Sequence, residues 1–103
     1  MTNYEILISQ KAFSDIRECV LFVNNVSSEA AKNLYEEIMN AVRSLPSLPN
    51  AYPAIEGLSI GDSKVRKMPI HGGRYLVFYK VESNKVVIYD IVDSRKEPSI
   101  LKV

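Results

Sequence analysis

Lys64-Val65-Arg66-Lys67-Met68-Pro69-Ile70, His71-Gly72-Gly73, Arg74-Tyr75-Leu76-Val77-Phe78-Tyr79-Lys80-Val81-Glu82, Ser83-Asn84, Lys85-Val86-Val87-Ile88-Tyr89-Asp90-Ile91-Val92-Asp93 reads as three strands joined by two tight turns. β-Branched and aromatic residues fill the runs 64–70, 74–82 and 85–93. The glycine pair supplies the first turn and Ser83-Asn84 the second, where asparagine tolerates positive backbone angles. Links this short make the three strands an antiparallel meander. Along the middle strand Tyr75, Val77, Tyr79 and Val81 share one face, against Leu76, Phe78 and Lys80. In the last, Val87, Tyr89 and Ile91 oppose Val86, Ile88, Asp90 and Val92. With apolar residues on both faces, one face should meet the rest of the chain and the other carry a second apolar patch or a partner.

Upstream, Tyr4, Ile6 and Ile8 alternate with Glu5 and Leu7, the period of a strand. Ser9 can cap a following helix, whose apolar stripe is Phe13, Ile16, Cys19 with Val20, and Val23. After Asn24-Asn25-Val26, Ser27 or Ser28 can cap a second helix, with Glu29 at its positive end and a stripe of Ala31, Leu34, Ile38, Ala41 with Val42, and Leu45. Pro46 ends it. Helices so closely linked should pack as an antiparallel hairpin. Residues 46–63 hold three prolines and two glycines and read as a loop held down by Leu48, Tyr52, Ile55 and Leu58. The expected fold is α+β: an N-terminal strand, the helical hairpin, and the three-stranded meander, forming one twisted sheet with both helices on one face.

At 103 residues the chain suits a single domain, 1–103, with one shared core. Apolar residues make up 47% and charged residues 24%, as in a folded globular protein. No apolar run approaches the ~18–20 residues of a membrane span, and no signal sequence opens the chain, so the expectation is a cytoplasmic protein without a membrane partner. Cys19 and His71 are the lone members of their types, which argues against a disulfide, a metal centre or a bound cofactor. Charge is unevenly divided. Residues 1–62 carry four Lys or Arg against eight acids, a net −4, whereas residues 63–103 carry nine against four, a net +5.

The candidate target- or RNA-contacting residues are therefore Arg66, Lys67, His71, Arg74, Arg95 and Lys96. Converging guanidinium groups bind phosphate or carboxylate bidentately; spread apart, the same residues merely keep a sheet soluble. Nucleic acid and an acidic protein are both open as partners. His71 is the one side chain whose unperturbed pKa lies near neutrality. Asp90 and Asp93, three apart in a strand, should point to opposite faces and not pair. Tyr75 and Tyr79, on one face, suit either base stacking or core packing. No catalytic residue is identified.

The order of elements resembles the RelE/ParE toxins of bacterial toxin-antitoxin modules. The words that carry the resemblance are Tyr4-Glu5-Ile6-Leu7-Ile8-Ser9-Gln10-Lys11-Ala12-Phe13-Ser14-Asp15-Ile16, Arg43-Ser44-Leu45-Pro46-Ser47-Leu48-Pro49, Val65 to Val81, and Val86 to Glu97. In the RNA-cutting branch, cleavage of ribosome-bound messenger RNA is implied to use middle-strand cations with an acid or base near the last strand and C terminus. Lys67, Arg66 and Lys96 match cationic positions. Gly73-Arg74-Tyr75, however, resembles the ParE branch, Leu76 stands where RNA cutters favour an arginine, Asp93 replaces a common histidine, and Ile100-Leu101-Lys102-Val103 lacks a tyrosine. The resemblance thus implies a ParE-like toxin that poisons DNA gyrase, ahead of a ribosome-dependent ribonuclease acting on mRNA, and ahead of a non-toxic binding module. Either toxin implies a cognate antitoxin with an acidic segment suited to the basic half. The second apolar sheet face would also suit a homodimer.

Overall fold

The computed structural model describes residues 4–95. Its elements are β1 (Glu5–Ile8), α1 (Gln10–Asn24), α2 (Ser28–Ser44), β2 (Ala54–Ile60), β3 (Ser63–Ile70), β4 (Tyr75–Glu82) and β5 (Lys85–Asp93). The sheet order is β1-β5-β4-β3-β2. β2 to β5 pair antiparallel in succession, while β1 lies parallel to β5 with Glu5 opposite Lys85 and Ile8 opposite Ile88. The expected α+β architecture is present.

Both helices begin where side chains can satisfy their first amides. Ser9 Oγ accepts from Ala12 N at 3.0 Å, and Ser27 Oγ from Ala30 N at 3.1 Å. Ser9 also donates to Tyr89 O at 3.0 Å, so one hydroxyl both starts α1 and pins it to β5. Ser9→Ala is expected to cost about 1–2 kcal/mol, read as a lowered urea midpoint with an unchanged slope.

The expected stripe of α2 is the inner one: Ala31, Leu34, Ile38, Val42 and Leu45 are all buried. Under the helices lie Met68, Ile70, Tyr75, Val77, Tyr79, Val86, Ile88 and Ile91. Tyr75 and Tyr79 are thus core residues, closed to base stacking; Tyr79 Oη donates to Pro49 O at 3.0 Å, which meets the hydroxyl's need inside. Leu76, Val87 and Val92 alternate out of this core and are half-buried. With Leu7 at 40% exposure, they form the second apolar face.

Four readings are corrected. Part of the supposed loop, Ala54–Ile60, is the edge strand β2, so the meander has four strands. Its pattern is broken by Gly57 at φ +80° and a register shift between Ala54 and Ser59, both tolerable at an edge. Leu48, expected to hold that segment down, is exposed. Phe13 leaves the α1 stripe: Ala12 is the buried neighbour, and Phe13 is 65% exposed. The positive angle of the β4–β5 turn falls on Ser83 (φ 53°) rather than on asparagine.

Candidate functional site

One irregularity in β5 builds the site. Phe78 pairs with Asp90 but Tyr79 with Ile88, leaving Tyr89 as an extra residue. A one-residue bulge reverses the facing of everything beyond it. Ile91 therefore joins Val86 and Ile88 in the core, contrary to strict alternation. Asp90, 1% exposed, reaches the helix side and meets α1.

There, Lys11 Nζ lies 2.9 Å from Asp15 Oδ2 and 3.2 Å from Asp90 Oδ1. Burial, reinforced by a hydrogen bond to Asp90, pushes the Asp15 carboxyl up to about 6, against the opposing pull of Lys11. The hydrogen bond to Asp15 raises Lys11 in turn. Two carboxylates beside one ammonium cannot both ionise without leaving unbalanced charge in a poorly hydrated place.

Further along β5, Asp93 gathers donors. Its Oδ1 accepts from Arg95 N at 2.9 Å and Arg95 Nε at 3.1 Å, while Oδ2 accepts from Arg95 Nη2 at 2.9 Å and Arg74 Nε at 3.2 Å. The bonds from Arg95 are the main reason the Asp93 carboxyl is held far below the usual carboxylate range, and Asp93 raises Arg95 reciprocally. Arg74 also lies 5.9 Å from the centroid of the Tyr75 ring. Between the Lys11–Asp15 end and the Asp93 end runs a cleft of about 480 Å³, walled by Cys19, Phe22, Tyr75 and Ile91. A second hollow, about 400 Å³, opens between the helices; Phe13, Ile16, Val20, Leu21, Tyr35 and Met39 make it almost wholly apolar.

The six sequence candidates do not form one cluster. Arg74 and Arg95 meet on Asp93. Arg66 turns to the helix side, where its Nη1 donates to Tyr52 O at 2.6 Å and ties down the segment before β2. Lys67, next in the strand, is exposed and faces away from the core that holds Met68. His71 occupies a turn with φ 54°, followed by Gly72 and Gly73 at 65° and 86°. Its Nδ1 lies 2.7 Å from Glu37 Oε1 on α2. Lys96 lies outside the described residues. Sequence reasoning missed the Lys11–Asp15–Asp90 group. The i, i+4 spacing of Lys11 and Asp15 was visible, and alternation already set Asp90 on the face of Val86 and Ile88, but their meeting depends on how α1 lies over β5.

The profile of the ParE toxin of type II toxin-antitoxin systems, parDE, matches residues 6–98. No curated protein matches the chain significantly. Among solved structures, the chromosomal ParDE system from P. aeruginosa contains a chain of similar fold, with a TM-score of 0.71, 17% identity, and coverage of 90% of this chain and 98% of that one. The archaeal RelE-RelB complex from Pyrococcus horikoshii OT3 is similar at a TM-score of 0.58 and 15% identity, covering 94% and 100%. Identities this low bear on the fold, which they share; the profile, spanning nearly the whole length, places this chain in the ParE toxin family of type II toxin-antitoxin systems.

Proposed function

We propose that this chain inhibits growth by binding and poisoning DNA gyrase, and that its cognate antitoxin neutralises it. The observation that carries this reading is the dispersal of the polar groups that RNA cleavage would need together. Attack by a 2′-hydroxyl requires a proton acceptor, a proton donor and stabilisation of added negative charge around one phosphate. In this chain the single histidine turns to Glu37 on α2, Arg74 and Arg95 serve Asp93, and Arg66 serves a backbone carbonyl. A protein that poisons by docking needs only a complementary surface, and an α-hairpin with an open apolar groove is such a surface for a partner.

The expected result is that purified, folded protein blocks supercoiling by gyrase or traps the enzyme on cleaved DNA. Normal supercoiling with an excess of toxin that arrests cell growth would exclude gyrase as the target. Ribosome-dependent cleavage of mRNA is the second reading. It is favoured by the sheet face turned from the helices, where Lys67 stands opposite Phe78 and Lys80 lies 5.6 Å from the Tyr89 ring centroid. That reading requires Lys67→Ala to abolish messenger cleavage; a variant that still arrests growth while leaving messengers intact supports gyrase instead.

A further inference from the structure

α1 is thinly seated for a helix of its length. Of its 15 residues Ala12 and Ile16 are buried, against Ala31, Leu34, Ile38 and Val42 in α2, and it meets the sheet chiefly through β5. Cys19, Val20 and Val23 are partly covered, while Phe13, Leu21 and Phe22 stay in solvent. Both buried residues fall in the first two turns, the same turns that bring Lys11 and Asp15 to Asp90. An element with so little buried apolar contact opens at a lower free energy than the rest of its domain. α1 is also the wall common to two cavities, with Asp15, Glu18 and Phe22 lining the cleft and Phe13, Val20 and Leu21 lining the apolar groove.

We propose that the meeting of Asp15 with Asp90 is a proton-operated catch on α1, closed when the two carboxyls share one proton and released when both ionise, so that the first turns of α1 lift from β5. Charge balance sets the direction. With one proton, Lys11, Asp15 and Asp90 sum to zero; without it they leave one negative charge, and Asp90, 1% exposed, is too buried for water to spread it. The other charges lining the cleft, Glu18, Arg74, Asp93 and Arg95, cancel, and both arginines are spent on Asp93. Arg17 lines the groove instead, where α2 faces it with Tyr35 and Met39, so among the described residues lining either cavity Lys11 alone serves the pair. Lifting α1 carries Asp15 away from Asp90 and into water, where both ionise. Ser9 is the pivot, because its hydroxyl caps α1 and holds Tyr89 O just beyond the end of β1. The catch concerns motion within this chain and stands apart from the choice between gyrase and ribosome.

Its test is native-state hydrogen exchange of single amides at about pH 5 and about pH 7.5, corrected for the intrinsic exchange rate at each pH. Asp15 titrates near 3.8 when free and near 6 in the closed state, so opening gains on closure as pH rises through that window. Two results are expected together. The amides of α1 are less protected than those of α2 at both pH values, which marks an opening of α1 short of global unfolding. The opening constant of α1 rises roughly tenfold between the two pH values in the unaltered protein and stays level in Asp15→Asn. Equal protection in the two helices would make the proton linkage a property of global unfolding and overturn the catch. A rise that persists in Asp15→Asn would overturn it as well, because the proton would then sit elsewhere. Circular dichroism checks that the variant folds, and Asp90→Asn, which removes the same shared proton, repeats the test should Asp15→Asn not fold.

Discussion

Ile38→Ala is expected to lower the unfolding free energy by about 2–5 kcal/mol, while Phe13→Ala should change it by no more than about 0.5 kcal/mol. Both residues sit at apolar positions of helical stripes, and from periodicity alone they are equivalent. Ile38 has no exposed surface and packs within the core shared by α2 and the sheet, whereas Phe13 is mostly in solvent. Truncating Ile38 removes buried methyl and methylene groups and leaves a cavity that a dense core closes only in part. For a domain of this size the melting temperature should drop by roughly 10 °C or more. Urea denaturation of the two variants checks the pair: equal losses would show that the hairpin is seated on the sheet by a different face of α1.

Asp15→Asn should have the opposite sign at neutral pH. Unfolded, Asp15 titrates near 3.8; folded, it titrates near 6. Between those values the folded protein holds the extra proton, so stability falls as pH rises through the window. By pH 7 the ionised group is a liability, worth about 2 kcal/mol after discounting for partial solvent screening. The amide resembles the protonated acid and escapes that penalty. The variant should therefore be more stable than the unaltered protein at pH 7–8 and close to it near pH 4.5, in denaturation curves across pH. A constant difference across that range would mean that Asp15 and Asp90 do not share a proton in the folded state.

Much of the fold was legible because periodicity survives wherever a segment is buried on one side only. The stripe from Ala31 to Leu45 and the strands 64–70, 74–82 and 85–93 lie within a residue or so of their expected bounds. What failed has a common physical origin. β2 is an edge strand in which Pro53 and Gly57 erase the period, so its order comes from pairing with β3 and not from local preference. The bulge at Tyr89 reversed the facing of Ile91, because the place of an extra residue is set by the partner strand. Phe13 was misplaced because Ala12, too small to stand out in a hydropathy pattern, is the residue that lets α1 approach the sheet. As for the site, the sequence showed which cations exist, whereas their fates depend on acids distant in the chain: Glu37 for His71 and Asp93 for Arg74.

The parallel pairing of β1 with β5 also sets an order of events during synthesis. Ser9 leaves the ribosome some eighty residues before Tyr89, its hydrogen-bond partner. Until residues 85–93 emerge, the first strand has no neighbour, α1 has no floor, and Lys11 and Asp15 have no Asp90. The helical hairpin has local contacts enough to form early, but the cleft is assembled only when the last strand slots between β1 and β4. A nascent chain halted before that point carries every residue of α1 and none of the surface that α1 helps to shape.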